Sequence, residues 1–218
     1  ERLWSQVGQN LDASRFGSLY GSSLALSADG NFVVSGAPGF NPNGINSGHA
    51  QVFAYFERTQ TWLQLGTDID GEAERDFAGE PVAMSGDGLT VAVGSRLNDN
   101  KGADSNSGRL RVFRYDSGTG DWRQLGQNLD GDGADDQFGS RVALSADGRV
   151  LAVAATGPAQ PDGLVRVFEL RGNTWQQIGS DLVGNDGDQF GFSIALSGDG
   201  QRVVVGSRFS DGGGVGLG

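Results

Sequence analysis

The sequence predicts an all-β protein, a β-propeller of four-stranded antiparallel blades. One hairpin-like phrase occurs four times, at residues 20–37, 78–95, 138–155 and 190–207. The four tryptophans each open a second repeated phrase, and their spacings of 58, 60 and 53 residues agree with spacings of 58, 60 and 52 between the hairpin glycines. Four-stranded units repeated at this length, without a helical period, are typical of a propeller. A stacked β-solenoid is the competing repeat fold.

Each unit contains four strand-like segments in a fixed order. The first is a tryptophan phrase such as "WLQLG", the second resembles "SSLALS", the third "NFVVSG" and the fourth "HAQVFAYF". The fourth segment alternates polar and apolar residues, as a half-buried antiparallel strand does. Asp-Gly between the second and third segments predicts a tight hairpin, because glycine tolerates the positive φ of such turns. We expect the tryptophans, with Phe53, Phe113 and Phe168, to pack in the core or between blades.

The repeats predict one domain over residues 1–218, divided approximately into units 1–58, 59–118, 119–171 and 172–218. Their register selects Tyr20-Gly21, rather than Phe16-Gly17, as the counterpart of Phe138-Gly139. In the fourth unit, "VGLG" stands where a fourth strand would run, so the last blade is incomplete. Four blades is the lower limit of a propeller. We therefore expect either a portion of a larger propeller or a four-bladed ring with an irregular last blade.

Composition excludes several classes of function. The chain carries 27 acidic against 16 basic residues, a net charge of −11, so it lacks the basic surface that binds a nucleic-acid backbone. It contains no cysteine, which excludes thiol catalysis, disulfides and thiolate metal sites. No apolar run approaches the roughly 18 residues of a transmembrane helix. An acidic chain of this kind suits cations, basic partners or simple solubility.

The acidic residues are concentrated on one face of the predicted propeller. In an antiparallel meander, the loops after the first and third strands emerge on the same side, and here they hold 17 of the 27 acidic residues. Loops on a rigid scaffold are the usual place for recognition. We expect a protein or glycan partner to bind this face. The partner-binding loop residues predicted there are Asp68, Asp70, Glu72, Asp99, Asp104, Asp186 and Asp188.

The phrase "DGDGADD" is the candidate metal site. Asp130, Asp132, Asp135 and Asp136 supply the density of oxygen atoms that calcium prefers, although the spacing is not that of an EF-hand. A solvated acidic loop is the alternative interpretation. No motif requires a cofactor, so calcium is the single candidate. His49, the only histidine in the sequence, is interpreted as a surface or edge residue rather than a catalytic one.

The phrase "YGSSLALSADGNFVVSGAP", followed by "GHAQVF", resembles the FG-GAP repeat of integrin alpha-chain propellers and related secreted proteins. Phe-Gly is present at 138–139 and 190–191, and Gly-Ala-Pro at 36–38. The resemblance implies an extracellular or cell-surface propeller used for adhesion or ligand recognition. It does not extend to the calcium cage of that family. The loop between the second and third strands is here "SADG" or "SGDG", with one carboxylate, whereas calcium takes six to eight oxygen ligands.

The sequence therefore predicts a non-enzymatic adhesion or recognition module that presents an acidic loop face to a protein or glycan, assisted by divalent cations. Catalysis is not expected, because the carboxylates repeat with the blades and one histidine does not supply a Ser-His-Asp set. Two alternatives remain open. One is a structural repeat of a larger extracellular or surface assembly, and the other is a lectin-like or glycan-processing propeller.

Overall fold

The structure, a computed structural model, describes residues 3–13, 15–100, 102 and 105–210. Within these residues the chain forms strands, turns and loops but no helix. The described part of the chain accordingly has no helix long and apolar enough to cross a membrane. Three sheets contain five strands each, and a fourth contains two. This architecture is the predicted all-β, propeller-like fold of antiparallel sheets.

The strand bounds show the same unit repeating along the chain. The first sheet contains β1 (Ser23–Leu26), β2 (Phe32–Ala37), β3 (His49–Phe56), β4 (Thr61–Gln64) and β5 (Ile69–Asp70). The second contains β6 (Val82–Met84), β7 (Thr90–Ser95), β8 (Arg109–Asp116), β9 (Asp121–Gln124) and β10 (Leu129–Asp130). The third contains β11 (Phe138–Leu144), β12 (Val150–Ala155), β13 (Leu164–Arg171), β14 (Thr174–Gln177) and β15 (Leu182–Val183), and the fourth contains β16 (Phe190–Leu196) and β17 (Val203–Ser207).

The strands of each five-stranded sheet pair in one order. From β1 to β4 each strand pairs antiparallel with the next, and the short β5 pairs with the start of β3. The second and third sheets repeat this order, with β10 on β8 and β15 on β13. In each five-stranded sheet, the start of the third strand therefore lies beside a two-residue strand that comes later in the chain.

The tryptophan phrases belong to a different sheet from the one predicted. The sequence interpretation made each phrase the first strand of the unit that follows it, whereas β4, β9 and β14 extend the sheet that precedes them. The reason is the short connection before each phrase, which is four residues between β8 and β9 and two between β13 and β14. Connections this short join neighbouring antiparallel strands.

The predicted Asp-Gly turns are held by side-chain hydrogen bonds. Ser27 Oγ donates to Asp29 Oδ1 at 2.6 Å, and the same carboxylate oxygen accepts the Asn31 N–H at 3.0 Å. The serine–aspartate contact recurs at Ser85–Asp87, Ser145–Asp147 and Ser197–Asp199. The turns also join neighbouring sheets, because the Ala28 N–H donates to the Gly86 carbonyl at 2.9 Å. Each aspartate thus accepts a hydrogen bond from the serine of its own turn.

The tryptophans connect successive sheets, as predicted. Trp122 Nε1 donates to the Leu65 carbonyl at 2.7 Å, and Trp175 Nε1 donates to the Leu125 carbonyl at 2.8 Å. The first bond joins β9 to the residue after β4, and the second joins β14 to the residue after β9. Trp4 differs, since its side chain is fully exposed. The repeated tryptophan is therefore a contact between sheets wherever a preceding sheet is present.

The first and last sheets leave apolar faces open. Leu24 and Leu26 are 62% and 58% exposed, whereas Val82 and Met84 at the same positions of β6 are 6% and 8% exposed. At the other end, Val204 is 71% exposed. Between these ends the core residues of the sheets are buried, including two of the three predicted phenylalanines, Phe113 and Phe168.

Candidate functional site

Two kinds of loop meet along one edge of the sheets, which we call the acidic loop edge. One kind joins the second and third strands of a sheet (38–48, 96–108 and 156–163), and the other leads from one sheet to the next (71–81, 131–137 and 184–189). The two kinds contact each other directly. The Phe77 N–H donates to the Asn46 carbonyl at 3.0 Å, and the Asp135 N–H donates to the Ser105 carbonyl at 2.6 Å. The acidic loops are therefore neighbours on a continuous surface.

In the first sheet, this edge contains a histidine between two carboxylates. His49 is the first residue of β3, and its backbone lies opposite Asp70 of β5. Its Nδ1 atom lies 3.0 Å from Asp68 Oδ2 and 3.9 Å from Asp70 Oδ1. Among the described residues these three form the only group of three or more metal-ligating side chains whose ligand atoms come together.

The surroundings of His49 fix its position. Its side chain is only 2% exposed, and its ring stacks on Phe40 with centroids 4.2 Å apart. Gln51 and Gln64 both donate to Asp68 Oδ1, at 2.9 and 2.7 Å. Asp68 Oδ1 is therefore saturated by amides, while its Oδ2 atom faces the imidazole.

The two carboxyl groups of this site differ electrostatically. The neighbouring His49 ring is the main cause that holds the pKa of Asp68 below its ordinary value, against the opposing effect of partial burial. Burial raises the pKa of Asp70, and the nearby Asp68 charge raises it further. Arg111 donates to the Asp70 carbonyl oxygen, and its positive charge opposes this rise. Desolvation and charge repulsion are the expected results of placing two carboxylates together.

The second sheet has an arginine where the first has His49. Arg109 begins β8, and its Nε and Nη2 atoms donate to the two carboxylate oxygens of Asp130 at 2.6 and 3.1 Å. Its Nη1 atom donates to Glu72 at 2.7 Å. Asp130 is the main cause that raises the pKa of the Arg109 guanidinium. A fixed internal cation thus neutralises the acidic cluster of this sheet.

The third sheet uses another arginine for the same purpose. Arg166 of β13 donates from Nε and Nη2 to the two oxygens of Asp181, at 3.0 and 2.9 Å, and also to Asp132. Contact with Arg166 is the main cause that lowers the pKa of Asp181. The second and third five-stranded sheets therefore each carry an arginine that pairs with aspartate at this edge.

The structure does not bring the predicted metal ligands of "DGDGADD" together. Asp130 is paired with Arg109, and Asp132 with Arg166. Asp135 accepts from Asn106 Nδ2 at 3.2 Å. Asp136 is buried, where it accepts the Gly133 N–H at 2.7 Å and the Gln160 amide at 3.0 Å. These carboxylates have separate partners, and calcium at this loop stays a prediction.

The predicted partner-binding residues fall into three groups. Glu72, Asp99 and Asp186 are exposed on the acidic loop edge, and Asp68 and Asp70 are partly exposed there. Asp188 is buried rather than exposed, because it accepts a hydrogen bond from Asn185 within its own loop at 3.0 Å. Asp104 lies outside the described residues.

The prediction that His49 is a surface or edge residue is wrong. The histidine is among the most buried side chains of the described chain. One signal was available, since Asp68 and Asp70 are two residues apart and so project from the same face of an extended segment. The pairing of that segment with the start of β3, however, is set by the sheet.

No family model matches the chain, and no curated protein matches it. Solved structures of similar fold include a putative 6-phosphogluconolactonase from Bacteroides uniformis, at 14% identity and a TM-score of 0.56 over 84% of this chain and 46% of that chain. They also include the complex of KlAtg21 with the coiled coil of AgAtg16, at 13% identity and 0.57 over 85% and 50%. Kuenenia stuttgartiensis hydrazine synthase matches at 15% identity and 0.51, over 85% and 58%.

These similarities show the fold alone, a propeller-like arrangement of sheets. The chain spans about half the length of the solved chains that it matches. The first match corrects the prediction that the chain is not an enzyme, because a protein named as a lactonase has a similar fold. The absence of catalysis therefore does not follow from this architecture or from the repetition of its carboxylates.

Proposed function

We propose that this chain is a recognition module of FG-GAP type, which presents the acidic loop edge to a protein or glycan partner outside the cell or at its surface. The observation that carries the proposal is the contact between successive acidic loops, which assembles exposed carboxylates such as Glu72 and Asp186 on one rigid surface. Charge complementarity on such a surface favours a partner with basic groups, or one bridged through a bound cation.

The conformation at the Phe-Gly positions supports the FG-GAP resemblance. Gly21, Gly79, Gly139 and Gly191 all have positive φ, between 81° and 94°. A side chain at Gly79 would overlap with the His49 carbonyl oxygen, so the close approach of the 71–81 loop to β3 requires glycine there. The Gly21 and Gly79 N–H groups donate to the equivalent carbonyls of Gly36 and Gly94, which supports Tyr20-Gly21 as the counterpart of Ala78-Gly79.

The test compares two lysine substitutions that change the charge equally. Glu74 is on the acidic loop edge and 53% exposed, whereas Glu57 is exposed on the hairpin between β3 and β4, at the opposite edge. The wild-type chain, E74K and E57K are applied to arrays of basic peptides and of glycans. We expect binding to weaken about threefold or more in E74K and to persist in E57K. Equal weakening in both variants, or no saturable binding on either array, would contradict the proposal.

A second candidate function is a structural repeat in a larger assembly, and the open end faces favour it. The exposed Leu24 and Leu26 occupy positions that are buried against a neighbouring sheet in β6, and Val204 is exposed at the other end. The occupant proposed is a second copy of this chain, joined head to tail so that its last sheet covers the first sheet of its partner. Such a contact continues the packing already present between successive sheets.

Size-exclusion chromatography with light scattering, which measures the molar mass of the protein in solution, tests this second candidate. The wild-type chain should form a dimer at tens of micromolar, and V204E should be monomeric with an unchanged melting temperature, because Val204 is exposed within one copy. E57K should remain dimeric as the control. A wild-type chain that is monomeric at every concentration would rule out the head-to-tail contact.

A further inference from the structure

We propose that His49, Asp68 and Asp70 bind one divalent transition-metal ion of the zinc type. Each of the three residues offers one ligand atom, and these atoms lie within 4.8 Å of one another. His49 Nδ1 lies 3.0 Å from Asp68 Oδ2 and 3.9 Å from Asp70 Oδ1. One imidazole nitrogen with two carboxylate oxygens is a donor set that zinc accepts. The inference rests on the geometry of the first sheet and is independent of the proposed recognition role.

Two ligand atoms of this group have no hydrogen-bond partner, which is the observation that separates it from an ordinary acidic cluster. His49 Nδ1 and Asp70 Oδ1 are buried atoms, and neither makes a hydrogen bond. Nδ1 lies 3.0 Å from Asp68 Oδ2, but the contact lacks hydrogen-bond geometry. A buried polar atom without a partner is unfavourable, and most such atoms in folded proteins are satisfied. A shared cation would satisfy both atoms at once.

The distances fit one ion with little adjustment. Zinc bonds to histidine nitrogen and carboxylate oxygen are about 2.0–2.2 Å long, so two ligands of one tetrahedral ion lie roughly 3.3–3.5 Å apart. The separations of 3.0 and 3.9 Å from His49 Nδ1 to the two carboxylates lie on either side of this value. Asp68 and Asp70 are 31% and 41% exposed. The fourth position of the ion would therefore face the solvent side of the loop edge.

The residues around the ligands hold them as a metal site requires. Gln51 and Gln64 occupy Asp68 Oδ1 and leave Oδ2 free to bind metal. Phe40 stacks on the imidazole and restricts its rotation. Neighbours of this kind orient metal ligands and raise the affinity of a site. The ligands themselves come from the paired strands β3 and β5 and the residue just before β5, so the backbone spacing is set by the sheet.

The donor set favours zinc-type ions over calcium. Calcium takes six to eight oxygen ligands, and this site offers two carboxylates and a nitrogen. Arg111 lies close by, where it donates to the Asp70 carbonyl oxygen. Its positive charge partly offsets the negative charge of the two carboxylates. It forms no ion pair with the Asp70 carboxylate among the described contacts, which leaves the Oδ1 atom available to a metal.

Calorimetry with zinc chloride alone tests the proposal on the tag-free chain of residues 1–218 after chelator treatment. We expect one equivalent of zinc to bind the wild type, and at least tenfold weaker binding to D70N. D186N is the matched control, because it removes one exposed carboxylate from the same edge, and it should bind as the wild type does. Calcium chloride should give no binding that depends on His49. Binding by H49A equal to that of the wild type, or no saturable binding by the wild type, would overturn the proposal.

A second variant and a second readout separate a lost site from a lost fold. H49R places at this position the side chain that the second sheet already carries, so it should fold with a melting temperature close to that of the metal-free wild type and bind no zinc. The single histidine also gives one set of imidazole proton signals, which should shift on zinc addition to the wild type. Unchanged imidazole signals at saturating zinc would show that the ion binds elsewhere and would refute the site.

Discussion

The first two sheets use the same backbone frame for different purposes at the start of their third strands. In the second sheet, Arg109 neutralises Asp130 and Glu72 with three hydrogen bonds. In the first sheet, His49 stands at the same position between Asp68 and Asp70, and its Nδ1 atom makes no hydrogen bond. The repeated unit thus carries an imidazole in the first sheet where the second sheet carries a fixed internal cation. A repeat can therefore carry a binding position in one copy while the next copy uses that position for stability, as the second sheet does with Arg109.

The backbone frame shared by the two sites gives the largest expected effect. A side chain at Gly71 would overlap with the Ser47 carbonyl oxygen, and one at Gly131 with the Ser107 carbonyl oxygen. Overpacking of this kind typically destabilises by up to about 3 kcal/mol. We expect G71A and G131A to lose similar amounts of stability in chemical denaturation. A large difference between them would break the equivalence of the two sheets.

Removal of Arg109 should lower the stability of the fold more than removal of His49 from the metal-free protein. R109M leaves Asp130 and Glu72 without their shared partner, and hydrogen bonds to charged groups contribute about 1.5–3 kcal/mol. The partial exposure of both carboxylates reduces this, so we expect a loss of about 2 kcal/mol. H49Q, measured with chelator, should lose about 1 kcal/mol, because it removes mainly the stacking with Phe40. Denaturant titration of both variants checks the order, and an H49Q loss exceeding that of R109M would reverse it.

Two substitutions would transfer the histidine site to the second sheet. Asn128 and Asp130 occupy the positions of Asp68 and Asp70, so R109H/N128D recreates the His-Asp-Asp set. We expect a second equivalent of zinc and, at free zinc ten times the dissociation constant, a stabilisation of about 1.4 kcal/mol from the new site. R109H alone is the control and should retain the wild-type stoichiometry. A double variant that binds no additional zinc would mean that the frame alone does not define the site.

The third sheet gives the smallest effect, with a defined pH dependence. The pKa of Asp181 is lowered in the folded state, mainly by Arg166. Such a group stabilises the fold above its unfolded pKa of about 3.9, and this contribution is lost as pH falls through the lower folded value. Asp181 is 37% exposed, so D181N should lose less than about 1 kcal/mol at pH 7. The difference from wild type should shrink as the pH falls below 4. A difference that is constant over this range would indicate a cause other than the ion pair.

The local features of this fold could be read from the sequence. Asp-Gly turns, alternating strands and the tryptophan spacing are recognisable in the sequence, and the turn at Asp29 and the contact of Trp122 with the preceding sheet agree with them. The assignment of each tryptophan phrase to a sheet failed, because a repeat can be divided at any point without changing its period. Only the length of the connecting hairpins shows that β9 extends the sheet of β8.

The site depends on contacts that the sequence does not encode locally. The group formed by His49, Asp68 and Asp70 requires β5 to pair with the first residues of β3 rather than with the end of that strand. The segment between β4 and β5 sets this pairing, and no pattern in its residues predicts it. The acidic loops could be placed on one edge by topology, but the arginines that occupy Asp130 and Asp132 became apparent only in the folded structure.

The most direct test of the comparison is a crystal structure of the wild-type chain grown with zinc, with anomalous diffraction measured at the zinc absorption edge. We expect one strong peak about 2.0–2.2 Å from His49 Nδ1 and from one oxygen each of Asp68 and Asp70, and no peak beside Arg109. A peak at the Asp130–Asp136 loop instead, or a zinc-free site in which His49 Nδ1 donates to Asp68, would contradict this expectation.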